Sequence, residues 1–156
     1  MSRHGEMRSK RLYPDQPVVG VGALILQDGA ILLEKRRNKP GKDKWSVPGG
    51  LVELGEHIED AVIREVKEET RLDVGEPSLV DVVDDVELDE EGEVQYHFVI
   101  IDYLVKVKSG VTKAASDAGE LRWVPFGEVE GYDLTSSFRF FFRKNREKLE
   151  KLASQI

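Results

Sequence analysis

The residues best suited to chemistry lie between Gly49 and Leu72, where charged residues follow a Gly-Gly pair at regular spacing. If the second half of this stretch is helical, Glu65 and Glu69 lie one turn apart on one face, with Glu68 beside them. Like charges at this spacing repel one another. Mg²⁺, which takes oxygen ligands and often bridges carboxylates to phosphates, would relieve the repulsion. The spacing therefore indicates a site for a divalent cation.

An ordinary surface helix is the competing interpretation of the same residues. Arg64 and Glu68 are spaced for an ion pair within the helix. Ile58, Val62 and Val66 recur at intervals of four residues and predict an apolar stripe that faces a core. The helix pattern alone is compatible with both interpretations, a solvated acidic face and a cation site.

The full register of this stretch is more specific than the helix. It runs Gly, five residues, Glu, seven residues, Arg-Glu-aliphatic, one residue, Glu-Glu, and it resembles the signature of the Nudix hydrolases, the MutT-like family. The match covers eight positions: Gly50, Glu56, Arg64, Glu65, Val66, Glu68, Glu69 and Leu72. Arg71 departs from the signature, because the family usually has a glycine there that ends the helix in a left-handed conformation. An arginine in that conformation costs roughly 1–2 kcal/mol, so the departure concerns the helix end.

The resemblance implies which groups bind the cation. Glu65 and Glu69 are expected to bind Mg²⁺ or Mn²⁺ directly, and Glu68 to contribute. Glu65 is alternatively the general base, since family members differ on this point. The resemblance also makes the carbonyl group before the box glycine a metal ligand, which here is that of Gly49. Oxygen donors of this kind suit Mg²⁺ and Mn²⁺.

Three further positions of the signature are expected to support the site. Glu56 and Arg64 should form an ion pair that holds the loop and the helix together. Gly50 belongs to the Gly-Gly turn, where the lack of a side chain lets other groups approach the main chain.

A further carboxylate is expected from the region that follows the predicted strand Val94–Lys106. Many Nudix enzymes supply a metal ligand or base from there. Glu120 is the first candidate for this catalytic role and Asp117 is the second. No fixed motif anchors either residue.

Composition limits the class of protein. The net charge of −7 argues against a general nucleic-acid binder, which needs a basic face. The chain has no cysteine, which excludes disulfides and is compatible with the cytoplasm. No stretch approaches the ~20 apolar residues of a membrane span. We therefore expect a cytoplasmic protein without a membrane partner.

Periodicity predicts one domain at 13–156 after a basic tail at 1–12. We expect strands over Val18–Gln27, Ala30–Lys35, Leu79–Val86, Val94–Lys106 and Glu120–Pro125, and a final helix over Leu134–Ala153. Lys35, Arg36 and Arg37 either meet a substrate phosphate or form a solvated strand end. The element order is α+β. It is similar to the Nudix fold, an α/β/α sandwich with a mixed sheet between helices.

The substrate is expected to be a small nucleotide. The family cleaves nucleoside diphosphates linked to another group, and stretches such as GKDKWSVPGG are similar to ADP-ribose pyrophosphatase-like members. A proline that one ADP-ribose-cleaving group carries is missing at Leu88-Asp89. ADP-ribose or a related ADP-sugar is the lead substrate. The alternatives are a nucleoside triphosphate pyrophosphohydrolase that clears damaged nucleotides, and a non-catalytic nucleotide-binding regulatory module. An RNA-end hydrolase is also open, as is a homodimer.

Overall fold

The computed structural model describes residues 11–112 and 120–155 of the chain. Two α-helices and nine strands form in these ranges, with one 3-10 helix. Their bounds are β1 Val18–Gln27, β2 Ala30–Lys35, β3 Trp45–Ser46, β4 Gly49–Leu51, α1 Ile58–Thr70, β5 Asp73–Val74, β6 Ser78–Leu88, β7 Val94–Val105, β8 Val107–Ser109, β9 Leu121–Pro125, the 3-10 helix Phe126–Gly131 and α2 Ser136–Ala153.

A mixed seven-stranded sheet forms the centre of the described structure. Its main path runs β3-β2-β1-β7-β6, with β4 paired to β1 and β9 paired to β2. The β1–β7 pair is parallel, and the other pairs are antiparallel. Asp28 and Gly29 both have positive φ in the turn between β1 and β2, as a two-residue hairpin requires. The small β5-β8 sheet lies apart from this path.

The two helices cover opposite faces of the sheet, because β1 and β2 are apolar on both sides. Leu24 and Leu33 belong to the cluster that contains Phe141 of α2. Ile25 and Leu32 belong to the other cluster, which contains Val62, Val66 and Ala61 of α1. Adjacent strand residues point to opposite faces, so each cluster takes alternate positions. The expected α/β/α sandwich is confirmed.

The ends of α1 follow their sequence. His57 precedes the helix and provides no side-chain cap, and Glu59 and Asp60 in the first turn suit the helix dipole. Arg71 ends the helix in the left-handed conformation, with φ 69° and ψ 9°, and its backbone N–H donates to the carbonyl oxygen of Lys67. The arginine therefore adopts the backbone shape for which glycine is suited.

Helix α2 begins and packs as its sequence predicts. The Thr135 side chain accepts a hydrogen bond from the backbone N–H of Phe138 at the N-terminus. Phe138, Phe141 and Phe142 are buried in the cluster on this face of the sheet. Neither helix in residues 11–112 and 120–155 is long and apolar enough to cross a membrane.

Candidate active site

The site forms where α1 meets β4. The backbone N–H of Gly49 donates to Oε1 of Glu69 over 3.0 Å. A Cβ atom at Gly50 would overlap the Glu65 carboxylate, and one at Gly49 would overlap the Val21 carbonyl group. The Gly-Gly pair thus permits an approach of strand to helix that any side chain would block. The structure brings the predicted Glu65, Glu69, Gly49 and Gly50 together.

A third carboxylate, that of Glu34 on β2, joins this cluster. Glu34 is only 6% exposed and lies within hydrogen-bonding reach of Glu69. Glu34 was not among the predicted site residues, since it lies at the start of a charged run at a strand end. One signal was available: Glu34 alternates with Leu32, which packs in the α1 cluster, so both side chains point towards α1.

Burial and mutual repulsion perturb all three carboxyl groups. Burial and the neighbouring Glu34 raise the pKa of Glu69 to about 10. Burial raises the pKa of Glu65 to about 7, although Arg64 opposes the shift. Burial also raises the pKa of Glu34. Like charges this close cannot all ionise without a counter-charge, so the cluster is suited to protons or to a cation.

The donor chemistry fits a hard divalent cation. Oε2 of Glu34 is buried and has no hydrogen-bond partner, and Glu65 and Glu69 offer further carboxylate oxygens. Such oxygen ligands suit Mg²⁺ and Mn²⁺. No group of three or more His, Cys, Asp or Glu side chains in the described ranges already has the arrangement of a metal site. The cluster therefore supplies the ligand type without a preformed coordination shell.

Arg64 organises the carboxylates around it. Its Nε and Nη2 atoms donate to the two oxygens of Glu56 over 2.7 and 2.9 Å. Nη1 donates to Glu65 over 2.7 Å, and Nη2 donates to the Leu51 carbonyl oxygen over 3.1 Å. The hydrogen bond from Arg64 lowers the pKa of Glu56 to about 2. The expected Glu56–Arg64 ion pair is present, and the same guanidinium group orients Glu65.

The other predicted carboxylates lie outside this buried cluster. The side chain of Glu68 is 59% exposed, with Oε2 3.3 Å from Nη1 of Arg64. The Glu120 carboxylate lies 2.6 Å from the Arg122 guanidinium group and is half exposed. The structure does not bring Glu120 to the cluster, and its catalytic role stays a prediction. Asp117 lies outside the described residues.

A cavity of about 310 Å³ opens beside the cluster. Glu34, Glu69, Gly49 and Gly50 line one wall of it. Basic residues also line the cavity: Arg11, Lys35, Arg36, Arg37 and Lys44. The sequence left two alternatives for Lys35, Arg36 and Arg37, contact with a substrate phosphate or a solvated strand end. In the structure these residues line a cavity.

An acidic residue and an aromatic residue, Asp102 and Phe98, also line the cavity. Asp102 is 3% exposed, and burial together with the Asp81 charge raises its pKa to about 7. Phe98 lines the cavity and stacks on Tyr96 with ring centroids 6.0 Å apart. Both rings are buried, as core packing predicts, and the Phe98 ring is covered by the Arg11 guanidinium group.

Comparisons with known proteins identify the family of the chain. The family model described as the NUDIX domain matches residues 16–144. An ADP-ribose pyrophosphatase from Methanocaldococcus jannaschii is 41% identical over 115 residues, which cover 74% of this chain and 65% of that protein. The chain spans only 37% of each of two further curated relatives.

Solved structures give the same assignment. A MutT NUDIX hydrolase from Burkholderia pseudomallei has a TM-score of 0.69 and 36% identity, covering 81% of this chain and 95% of that one. The NUDIX domain of Shewanella oneidensis NrtR, complexed with ADP ribose, has a TM-score of 0.70 at 21% identity, covering 86% and 90%. This second similarity concerns the fold alone. From its family match, its fold and the carboxylates around Gly49, the chain belongs to the Nudix family of hydrolases.

Proposed function

We propose that this chain hydrolyses the diphosphate bridge of ADP-ribose or a related ADP-sugar, with Mg²⁺ or Mn²⁺ as its cofactor. The observation that carries the proposal is the cluster of Glu34, Glu65 and Glu69, of which Glu34 and Glu69 line a cavity that basic residues also line. A diphosphate is anionic, so the acidic wall can approach it only through bound cations.

The reaction adds one water molecule across the bridge. The water oxygen forms a bond to one phosphorus atom, and the bridging oxygen leaves with the other phosphate. AMP and ribose 5-phosphate are then the products from ADP-ribose. A bound divalent cation would neutralise phosphate oxygens and acidify the attacking water.

The residues of the chain supply ligands and orientation. Glu65 and Glu69 would hold the cation, with Glu68 contributing from the exposed side of α1. The alternative role for Glu65 is to accept the proton of the attacking water. Arg64 orients the Glu65 carboxylate, because Glu56 and the Leu51 carbonyl oxygen accept hydrogen bonds from the other N–H groups of Arg64 and hold its guanidinium group in place.

The cavity supports a small nucleotide as the substrate. Its volume of about 310 Å³ lies at the lower end of the roughly 300–1,000 Å³ that is typical of small-molecule pockets. Arg36 and Lys44 line it and offer positive charge to phosphate oxygens. The relative from Methanocaldococcus jannaschii, named an ADP-ribose pyrophosphatase, supports ADP-ribose in particular.

A product analysis over a substrate panel tests the proposal. The protein is incubated with Mg²⁺ and separately with ADP-ribose, other ADP-sugars, dinucleoside polyphosphates, and canonical and oxidised nucleoside triphosphates. We expect AMP and ribose 5-phosphate from ADP-ribose at the highest kcat/KM. A monophosphate and pyrophosphate formed faster from a triphosphate would replace the proposal with the nucleotide-clearing alternative. Binding of nucleotides without turnover would favour a regulatory module.

A further inference from the structure

Glu34 is unusual among the cavity carboxylates because it lies inside the sheet. It occupies β2 opposite Ser46 of β3 and Leu121 of β9, directly after the fully buried residues Leu32 and Leu33. It lies outside the spaced motif that begins at Gly50. A charged residue in a strand covered on both faces requires a partner, since an isolated buried charge is strongly unfavourable.

The partners that Glu34 has in the structure do not meet this requirement. Its Oε2 atom is buried without a hydrogen-bond partner. Glu69, which lies within hydrogen-bonding reach of Glu34, is a second carboxylate, and its Oε1 already accepts the Gly49 N–H. The guanidinium group of Arg36 is close enough to interact, but its Nε donates to the Pro40 carbonyl oxygen over 2.8 Å.

Glu34 also lies on the substrate side of the sheet. Both Glu34 and Glu69 line the cavity, together with Ser46 and Gly49. The residue with the unpartnered oxygen thus lies next to a predicted cation ligand and contributes to the cavity lining. A divalent cation at this position would supply the missing counter-charge for both carboxylates.

We propose that Glu34 is an additional ligand of the cation site, and that it supplies Oε2 to a divalent cation that Glu65 and Glu69 also hold. The inference rests on the proposed metal-dependent function. Glu34 would add a ligand from the sheet to the ligands of α1, so the cation would connect β2 to the helix. The competing explanation is a structural one, in which Glu34 and Glu69 share a proton and Glu34 never contacts the cation.

Binding of Mn²⁺ alone, without nucleotide, tests the inference. Free Mn²⁺ is measured by electron paramagnetic resonance during titration of the wild-type protein, Glu34→Gln and Asp85→Asn. Asp85 is the matched control, because it lines the same cavity on β6, away from α1. We expect Glu34→Gln to raise the Mn²⁺ dissociation constant at least ~10-fold, and Asp85→Asn to change it less than ~3-fold. Unchanged Mn²⁺ affinity in folded Glu34→Gln would overturn the inference.

Thermal unfolding gives a second measurement on the same variants. Without metal, Glu34→Gln should unfold at a higher temperature than the wild-type protein, because one buried carboxyl group is removed. Added Mn²⁺ should then stabilise the variant less than the wild-type protein. A structural role predicts the opposite: a lower melting temperature without metal and an unchanged Mn²⁺ effect. If Glu34→Gln does not fold, Glu34→Leu is titrated in its place.

The assay separates this inference from the proposed substrate. A wild-type protein that binds Mn²⁺ through Glu34 but does not cleave ADP-ribose would overturn the substrate and leave the ligand assignment standing. A wild-type protein that binds no Mn²⁺ would overturn the ligand assignment.

Discussion

The backbone N–H of Gly49 donates to the Glu69 carboxylate over 3.0 Å, which joins β4 directly to the last turn of α1. This contact holds one oxygen of the Glu69 carboxylate in place. The same carboxylate lies within hydrogen-bonding reach of Glu34 and Glu65. The site is thus assembled from a strand and a helix that both pack on the sheet. Such rigid supports suit a site whose ligands must keep their positions.

The two predicted ligands Glu65 and Glu68 should differ in importance. Glu65 is 14% exposed and Glu68 is 59% exposed, and the Glu65 carboxylate lies within hydrogen-bonding reach of the Glu69 carboxylate. We expect Glu65→Gln to lower kcat/KM for ADP-ribose at least ~100-fold, and Glu68→Gln to lower it ~10-fold or less. Steady-state kinetics measures both, with Glu128→Gln on the exposed 3-10 helix as the unaffected control. An equal or larger loss in Glu68→Gln would contradict the placement of the site.

Replacement of Gly50 by alanine should damage the site through Glu65. A Cβ atom at Gly50 would overlap the Glu65 carboxylate, so the Glu65 side chain must leave its present position. We expect Gly50→Ala to lower kcat/KM at least ~10-fold while the protein stays folded. Gly127→Ala is the matched control, since a Cβ atom there meets nothing within 4 Å. Full activity in Gly50→Ala would show that the close approach is not needed.

The Glu56–Arg64 pair should make stability depend on acid pH. The pKa of Glu56 is about 2, below the ordinary 4.5 of glutamate, because Arg64 donates a hydrogen bond to its carboxylate. A lowered pKa contributes stability above pH 4.5 that is lost as pH falls towards 2. We expect Glu56→Gln to lower the free energy of unfolding by about 1–2 kcal/mol at pH 7.

Denaturant unfolding of Glu56→Gln and the wild-type protein at pH 7, 5, 4 and 3 measures this difference. It should stay constant between pH 7 and pH 5 and shrink towards pH 3. A difference that is the same at all four pH values would mean that the charge of Glu56 does not stabilise the fold.

Arg71 should be a position where glycine stabilises the protein. Its φ of 69° is left-handed, which costs residues with a Cβ atom roughly 1–2 kcal/mol. We expect Arg71→Gly to raise the free energy of unfolding by about 1 kcal/mol, as measured by urea denaturation. Arg71→Ala is the control, because alanine keeps the cost, and it should give no gain. Equal gains in both variants would assign the effect to the lost arginine charge.

The parts of the fold with a clear period were predictable from the sequence. The bounds of β1 and β2 agree with the predicted ones, and α1 shows its apolar stripe at Val62 and Val66. The short strands β3 and β4 lie in a stretch where we predicted no strand, and where the Gly-Gly pair of β4 was predicted to form a turn. Two or three residues are too few to show alternation, and their pairing with β2 and β1 depends on distant contacts.

The site was predictable where a spaced motif specifies it. Glu65, Glu69, Arg64 and Glu56 meet because one helix and its preceding loop carry them. The alternation of Glu34 with Leu32 indicates only the face of the sheet on which Glu34 lies, since its burial depends on β3, β9 and α1 packing around β2.

Formation of AMP from ADP-ribose by the wild-type protein and by Glu69→Gln tests the central claim most directly. Both proteins are assayed at saturating Mg²⁺, with EDTA-treated samples alongside and circular dichroism to confirm the fold. We predict rapid formation of AMP and ribose 5-phosphate by the wild-type protein, none after EDTA, and a loss of at least ~100-fold in Glu69→Gln. Near-normal activity of a folded Glu69→Gln variant, or activity that survives EDTA, would contradict the carboxylate cluster as the catalytic metal site.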